Sequence, residues 1–183
     1  MTDDKINGLR VYNENLNKTI CESLHTALLL LLKQKEYSKI SITELCKKAG
    51  VSRMAFYNNF QTLDNLLENV VVEYNKTFII YKIGSPFREY TDYEWYVKLF
   101  ESVKQNSEFL TTLFKAGFKE KYLSIINDIV LHNPDIPTTK KYMRIIWAGG
   151  IVNAIIFWLE NNMQEPIEEI AKFCNDNMSV YCH

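Results

Sequence analysis

The chain has 183 residues, 47% of them hydrophobic and 23% charged, a composition that can bury a core and excludes a disordered polymer. Its 21 Lys and Arg face 22 Asp and Glu, a net charge of −1, so no global field draws it to nucleic acid and any such footprint must be local. Six Gly and four Pro are few for an all-β fold, and four scattered cysteines (Cys21, Cys46, Cys174, Cys182) without a CxxC pair point to free, reduced thiols rather than a disulfide scaffold.

In chain order, the polar residues 1–12 read as a loose arm lacking the apolar stretch of a signal peptide. A first helix is expected from about Asn15 to Lys35, where Ile20, Leu24, Ala27, Leu28 and Leu31 recur at three- and four-residue steps. Its apolar run, Ala27–Leu32, is too short to span a bilayer, so a soluble, cytoplasmic protein with no membrane partner is expected. Ser41, three residues before Glu44, makes a capping-box arrangement that opens a short helix, Ile42–Ala49. Gly50 ends it, Ser52 is placed to cap Arg53–Phe60, and Thr62 to cap a helix from Leu63 to about Tyr81. Gly84-Ser85-Pro86 is the clearest break. Beyond it, helices are predicted near Tyr93–Gln105, Glu108–Ala116, Glu120–Leu131, Thr138–Glu160 and Ile167–Met178, with residues 133–137 as a loop and Pro166 in a first helical turn.

The informative segment is Ser41–Leu67. Two short helices meet at a glycine turn, and Leu45, Cys46, Ala49, Val51, Phe56 and Phe60 sit where apolar side chains hold such a pair together. Between residues 39 and 60 the cations Lys39, Lys47, Lys48 and Arg53 stand against Glu44 alone. The second helix turns Arg53, Met54, Tyr57 and Asn58 outward, with Ala55 and Asn59 at the edge of that face. An Arg pairs with guanine through two hydrogen bonds and an Asn with adenine, while Met54 and Ala55 suit a thymine methyl. The hydroxyls of Ser41, Thr43, Ser52 and Tyr57 suit phosphate. These nine residues are the expected DNA contacts.

The string AGVSRMAFYNNFQTLDNLL resembles the N-terminal signature of the tetracycline-repressor (TetR) family, with its Ala-Gly-Val/Thr-Ser turn and its Tyr-x-x-Phe exit. Ala49-Gly50-Val51-Ser52, Tyr57, Phe60 and Leu66 carry the match, over roughly residues 15–70. WAGGIVNAIIFWLENNMQEPIEEIAKF is also similar to the end of several members. Where the family often places a phosphate-binding Lys at the start of the following helix, this chain has Leu63, which lowers the expected salt dependence of binding by about one counterion.

The resemblance implies an all-α, TetR-like architecture. Residues 1–70 would form a three-helix helix-turn-helix domain with the start of a connecting helix, and residues 71–183 a helical effector-binding and dimerisation domain. The implied function is a ligand-responsive repressor that binds a palindromic, double-stranded DNA operator as a homodimer. The alternative is a co-regulator of the same fold that acts through protein partners. An effector pocket is expected among Phe78, Tyr81, Trp95, Phe100, Phe114, Trp147 and Phe157. Two glycines inside the helix Thr138–Glu160 each cost about 1 kcal/mol relative to Ala, which calls for close helix approach. A four-helix dimer interface is therefore expected from Gly149, Gly150, Ile151, Ala154, Ile155, Trp158, Ile170 and Phe173. Neither a phosphate loop nor an HExxH or GxSxG string occurs, and the three His lie far apart, so no catalytic residue, metal or cofactor is expected beyond a small-molecule effector.

Overall fold

A computed structural model describes residues 3–77, 83–87 and 92–182. Within them are nine α-helices and no strand: α1 (Asp3–Leu32), α2 (Ile42–Ala49), α3 (Arg53–Asn59), α4 (Leu63–Asn75), α5 (Tyr93–Gln105), α6 (Ser107–Lys115), α7 (Lys119–Val130), α8 (Thr138–Glu160) and α9 (Ile167–Met178). The chain divides into two compact units, Met1–Val70 and Val71–His183, so α4 supplies residues to both.

In the first unit, α1 packs on α2 and α3. Leu24, Ala27, Leu28 and Leu31 of α1 are buried with Ile40, Leu45, Cys46, Phe56, Phe60, Leu66 and Leu67. Phe56 is fully enclosed and its ring meets those of Tyr57 and Phe60 at 5.4 and 6.1 Å. The expected loose arm is instead the start of α1, which begins at Asp3. No proline interrupts the run and residues 11–19 are exposed, so a polar sequence continues the helix into solvent.

The second unit is built around α8. Trp147, Ala148, Ile151, Val152, Ile155, Ile156, Trp158 and Leu159 point into its core. α7 and α9 flank α8, and α9 also packs on α5. Buried ring N–H groups find acceptors: Trp147 Nε1 donates to Tyr96 Oη at 3.1 Å, Trp95 Nε1 to the Gly84 carbonyl at 3.1 Å, and Trp158 Nε1 to the Glu165 carbonyl at 3.0 Å. By length and composition alone α8 is long and apolar enough to cross a membrane, and 44% of that apolar window is buried inside the protein. Its remaining apolar surface is exposed, as described below.

Candidate nucleic-acid interface

Local chemistry sets the geometry of α2 and α3. Ser41 Oγ accepts the Glu44 N–H at 3.2 Å and opens α2. The other half of the expected capping box is diverted, because the Glu44 carboxylate pairs with Lys35 Nζ at 2.7 Å and so ties α2 to the turn that follows α1. Gly50 closes α2 in the left-handed region, at φ 69° and ψ 25°, and the Val51 N–H reaches back to the Cys46 carbonyl at 3.0 Å. Ser52 Oγ then accepts the Ala55 N–H at 3.0 Å and starts α3. Thr62 Oγ1 accepts the Asn65 N–H at 3.1 Å and starts α4. Tyr37 Oη donates to Asp64 at 2.6 Å, joining the turn before α2 to the first turn of α4. Burial and this carboxylate together push the Tyr37 phenol well above its ordinary pKa, so it stays a donor.

With Phe56 and Phe60 turned inward, the opposite side of α3 is open. Arg53, Met54, Tyr57 and Asn58 are exposed there, Met54 by 74%. The Arg53 guanidinium lies 6.0 Å from the centroid of the Tyr57 ring, one helical turn away. Ser41, Thr43 and Ser52 are exposed as well. Each capping serine uses a lone pair inward and keeps a hydroxyl proton to donate outward. Lys47 and Lys48, in the last turn of α2, are exposed beside the Gly50 turn. Sequence reasoning counted their charge but named neither as a contact.

Two of the nine expected contacts sit differently. Ala55 is half-buried, and the Asn59 side chain is engaged inside the unit: Nδ2 donates to the Ala55 carbonyl at 2.8 Å, and Oδ1 accepts from Cys21 Sγ at 3.6 Å. Asn59 therefore joins α3 to α1 rather than standing at the edge of the reading face.

In the second unit an apolar cavity of about 70 Å³ is lined by Trp95, Leu99, Trp147, Ile151 and Ile155, with Tyr122 and Asn75 supplying its polar edge. Tyr122 Oη donates to Asn75 Oδ1 at 3.3 Å, and burial raises the phenol pKa to about 12. Of the expected pocket residues, Trp95 and Trp147 line this space. Phe100 is sealed in the core against Trp158, Phe114 packs edge-on against Tyr122, and Phe157 is exposed. Phe78 and Tyr81 lie outside the described residues.

The surface of α8 and α9 also redistributes the expected interface. Ile151, Ile155 and Trp158 are buried in the chain's own core, Ala154 and Ile170 are half-buried, and Phe173 is exposed. The outward face of α8 instead carries Tyr142, Ile145, Ile146 and Phe157, with Phe157 exposed by 64%. Tyr142, Ile146, Gly149, Asn153 and Phe157 recur at three- and four-residue steps, a helical phase that the sequence itself contained. The two glycines separate in role. A Cβ on Gly150 would come within 2.6 Å of Met178 Cε on α9, whereas one on Gly149 would meet nothing within 4 Å. Among the described residues, no group of three or more His, Cys, Asp or Glu is gathered as a metal site would require.

Comparison with known proteins places these features in context. Residues 91–179 match the family model of a TetR-type transcriptional regulator C-terminal region. The fold is similar to that of a TetR transcriptional regulator from Streptococcus agalactiae 2603V, at 20% identity and a TM-score of 0.61, covering 90% of this chain and 96% of that one. It is also similar to the dihydroxyacetone kinase operon activator DhaS, at 16% identity and a TM-score of 0.55, covering 88% and 94%. No curated protein gives a significant match.

Proposed function

We propose that the chain is a transcriptional regulator of the TetR family, a dimeric, ligand-responsive repressor that binds a palindromic DNA operator through α3. The observation that carries this reading is the free face of α3, on which Arg53, Met54, Tyr57 and Asn58 stand on a helix held by its Ser52 cap and the Phe56 anchor. Arg53 and Asn58 supply base-edge chemistry. Tyr57, Thr43 and the capping serines supply phosphate contacts. Lys47 and Lys48 add the local positive charge that the whole chain lacks.

The exposed apolar surface of α8 and α9 supports a second copy of the chain as its cover. α8 presents Tyr142, Ile145, Ile146 and Phe157 outward and α9 presents Phe173, and two-fold pairing would bury them in a four-helix arrangement. Two reading helices would then lie about 34 Å apart, matching successive major grooves. The effector would enter the apolar cavity, which at its present size must widen to take a drug-sized molecule. Because α4 contributes to both units, its displacement is the proposed route from effector to operator, and a coupling of about 1–3 kcal/mol suffices for release. One protein of this fold is an operon activator, so the fold alone does not set the direction of control.

Selection from random duplex DNA with the purified protein, followed by titration of variants, tests the assignment. Tyr57→Ala should weaken binding to all sequences. Arg53→Ala should also relax preference at one base pair, by about 1–3 kcal/mol. Unchanged affinity in both variants would remove α3 as the reading element and leave the protein-partner reading of this fold.

A further inference from the structure

On the first two turns of α8, Lys140 and Arg144 stand one turn apart. With Phe87, Met143, Tyr181 and Cys182 they line a small pocket of about 50 Å³ in the second unit, separate from the apolar cavity. Arg144 is held in place from two sides. Its Nη1 donates to the carbonyl of Val130, the last residue of α7, at 2.8 Å, and its guanidinium lies 4.4 Å from the Phe87 ring centroid. A guanidinium has five N–H donors, and the carbonyl accepts one of them. Among the described residues, neither Arg144 nor Lys140 has a carboxylate partner. Burial lowers the pKa of Arg144.

Capping α7 accounts for the contact with Val130. It does not account for the second cation, or for a guanidinium fork fixed against an aromatic ring beside open space. We infer that this pocket binds the oxyanion end of a small molecule, with a carboxylate taken bidentately by Arg144 and Lys140 supplying the second charge. The space is small, and Phe87 and Met143 supply apolar wall beside the polar Tyr181 and Cys182, which suits a compact, planar carboxylate with a short hydrocarbon neighbour better than a fully hydrated phosphate. Phe87 in turn meets Trp147 edge-on at 5.2 Å, and Trp147 lines the apolar cavity, so a short hydrocarbon tail would run along that ring pair. The anion pocket does not depend on the effector reading; only its consequence for DNA does.

Calorimetric titration of the full chain at constant ionic strength tests the pocket, with acetate, hexanoate and inorganic phosphate as probes and hexanol as the uncharged control. Hexanoate should bind saturably and hexanol should not. Arg144→Gln should weaken hexanoate about tenfold or more. Lys140→Glu, at an exposed position where folding is not at stake, should abolish binding, and Lys140→Gln should weaken it several-fold. Arg144→Lys keeps the charge and loses the fork, so it should fall between wild type and Arg144→Gln. The inference is overturned by absence of saturable binding for every anion at millimolar concentration, or by a Lys140→Glu variant that binds hexanoate as wild type does. Phosphate binding more tightly than hexanoate would overturn the carboxylate assignment. Hexanoate that binds but leaves operator affinity unchanged would sink the effector reading and leave the pocket standing.

Discussion

Gly50 shows how a single residue sets the interface. Its φ of 69° belongs to the left-handed region, and a side chain added there would meet no neighbour within 4 Å. The requirement is therefore one of backbone conformation, not space. Gly50→Ala should destabilise the first unit by about 1–2 kcal/mol, and Gly50→Asn, which tolerates this conformation better, by less. Phe56 acts through burial instead. It is fully enclosed, so Phe56→Ala should cost about 3–5 kcal/mol, more than the turn variant. Denaturant midpoints of the three variants at fixed pH check the order. A Phe56→Ala midpoint above that of Gly50→Ala would contradict the packing described for α3.

At the scale of the element, α8 is apolar on more sides than its own chain covers. Trp147, Ile151, Ile155 and Trp158 are used internally, while Ile146 and Phe157 face solvent. Gly149 and Gly150 sit between these two environments. Gly149 has open space, so in the isolated chain Gly149→Ala should raise stability by up to about 1 kcal/mol through helix propensity. If a second copy approaches closely at Gly149, the same change should weaken the dimer. Phe157→Glu should leave the fold intact and shift the protein towards monomer in sedimentation equilibrium. A Phe157→Glu variant that stays as associated as wild type would place the self-association surface elsewhere.

On the scale of the whole molecule, burial raises the pKa of several weak acids. Cys174 moves from an ordinary 9.0 to about 12 and Tyr122 from 10.0 to about 12, each chiefly by desolvation, and Tyr74 and Tyr96 are raised for the same reason. The folded state therefore holds protons that the unfolded state releases first. Stability from these groups is fully present below about pH 9 and is lost as pH rises towards 12, at up to about 1.4 kcal/mol per pH unit for each group. Guanidinium midpoints should be level from pH 7 to 8.5 and fall progressively above pH 9. Cys174→Ala should flatten the earliest part of that fall, because the thiol has the lowest ordinary pKa of the set. A midpoint that holds to pH 11 would mean these groups are hydrated in the native state.

Much of this protein was legible in its residues because the signals were local. Ser41, Gly50, Ser52 and Thr62 mark helix ends through hydrogen bonds to backbone three residues away, and the bounds of α2, α5, α8 and α9 follow from periodicity and such stops. The all-helical fold is determined at that level. What the residues alone left open depends on which neighbour occupies each face. Asn59 turns to Cys21, 38 positions away; Glu44 prefers Lys35 to its capping partner; Ile151, Ile155 and Trp158 spend their apolar surface inside the chain, while Ile146 and Phe157 do not. The helix in the polar first 12 residues was missed because polarity resembles a loop when no packing is required of it. An amphipathic period states that a face will be covered, but only the packed chain decides whether its own core, solvent or a second copy covers it, since burial is a property of position and not of residue type.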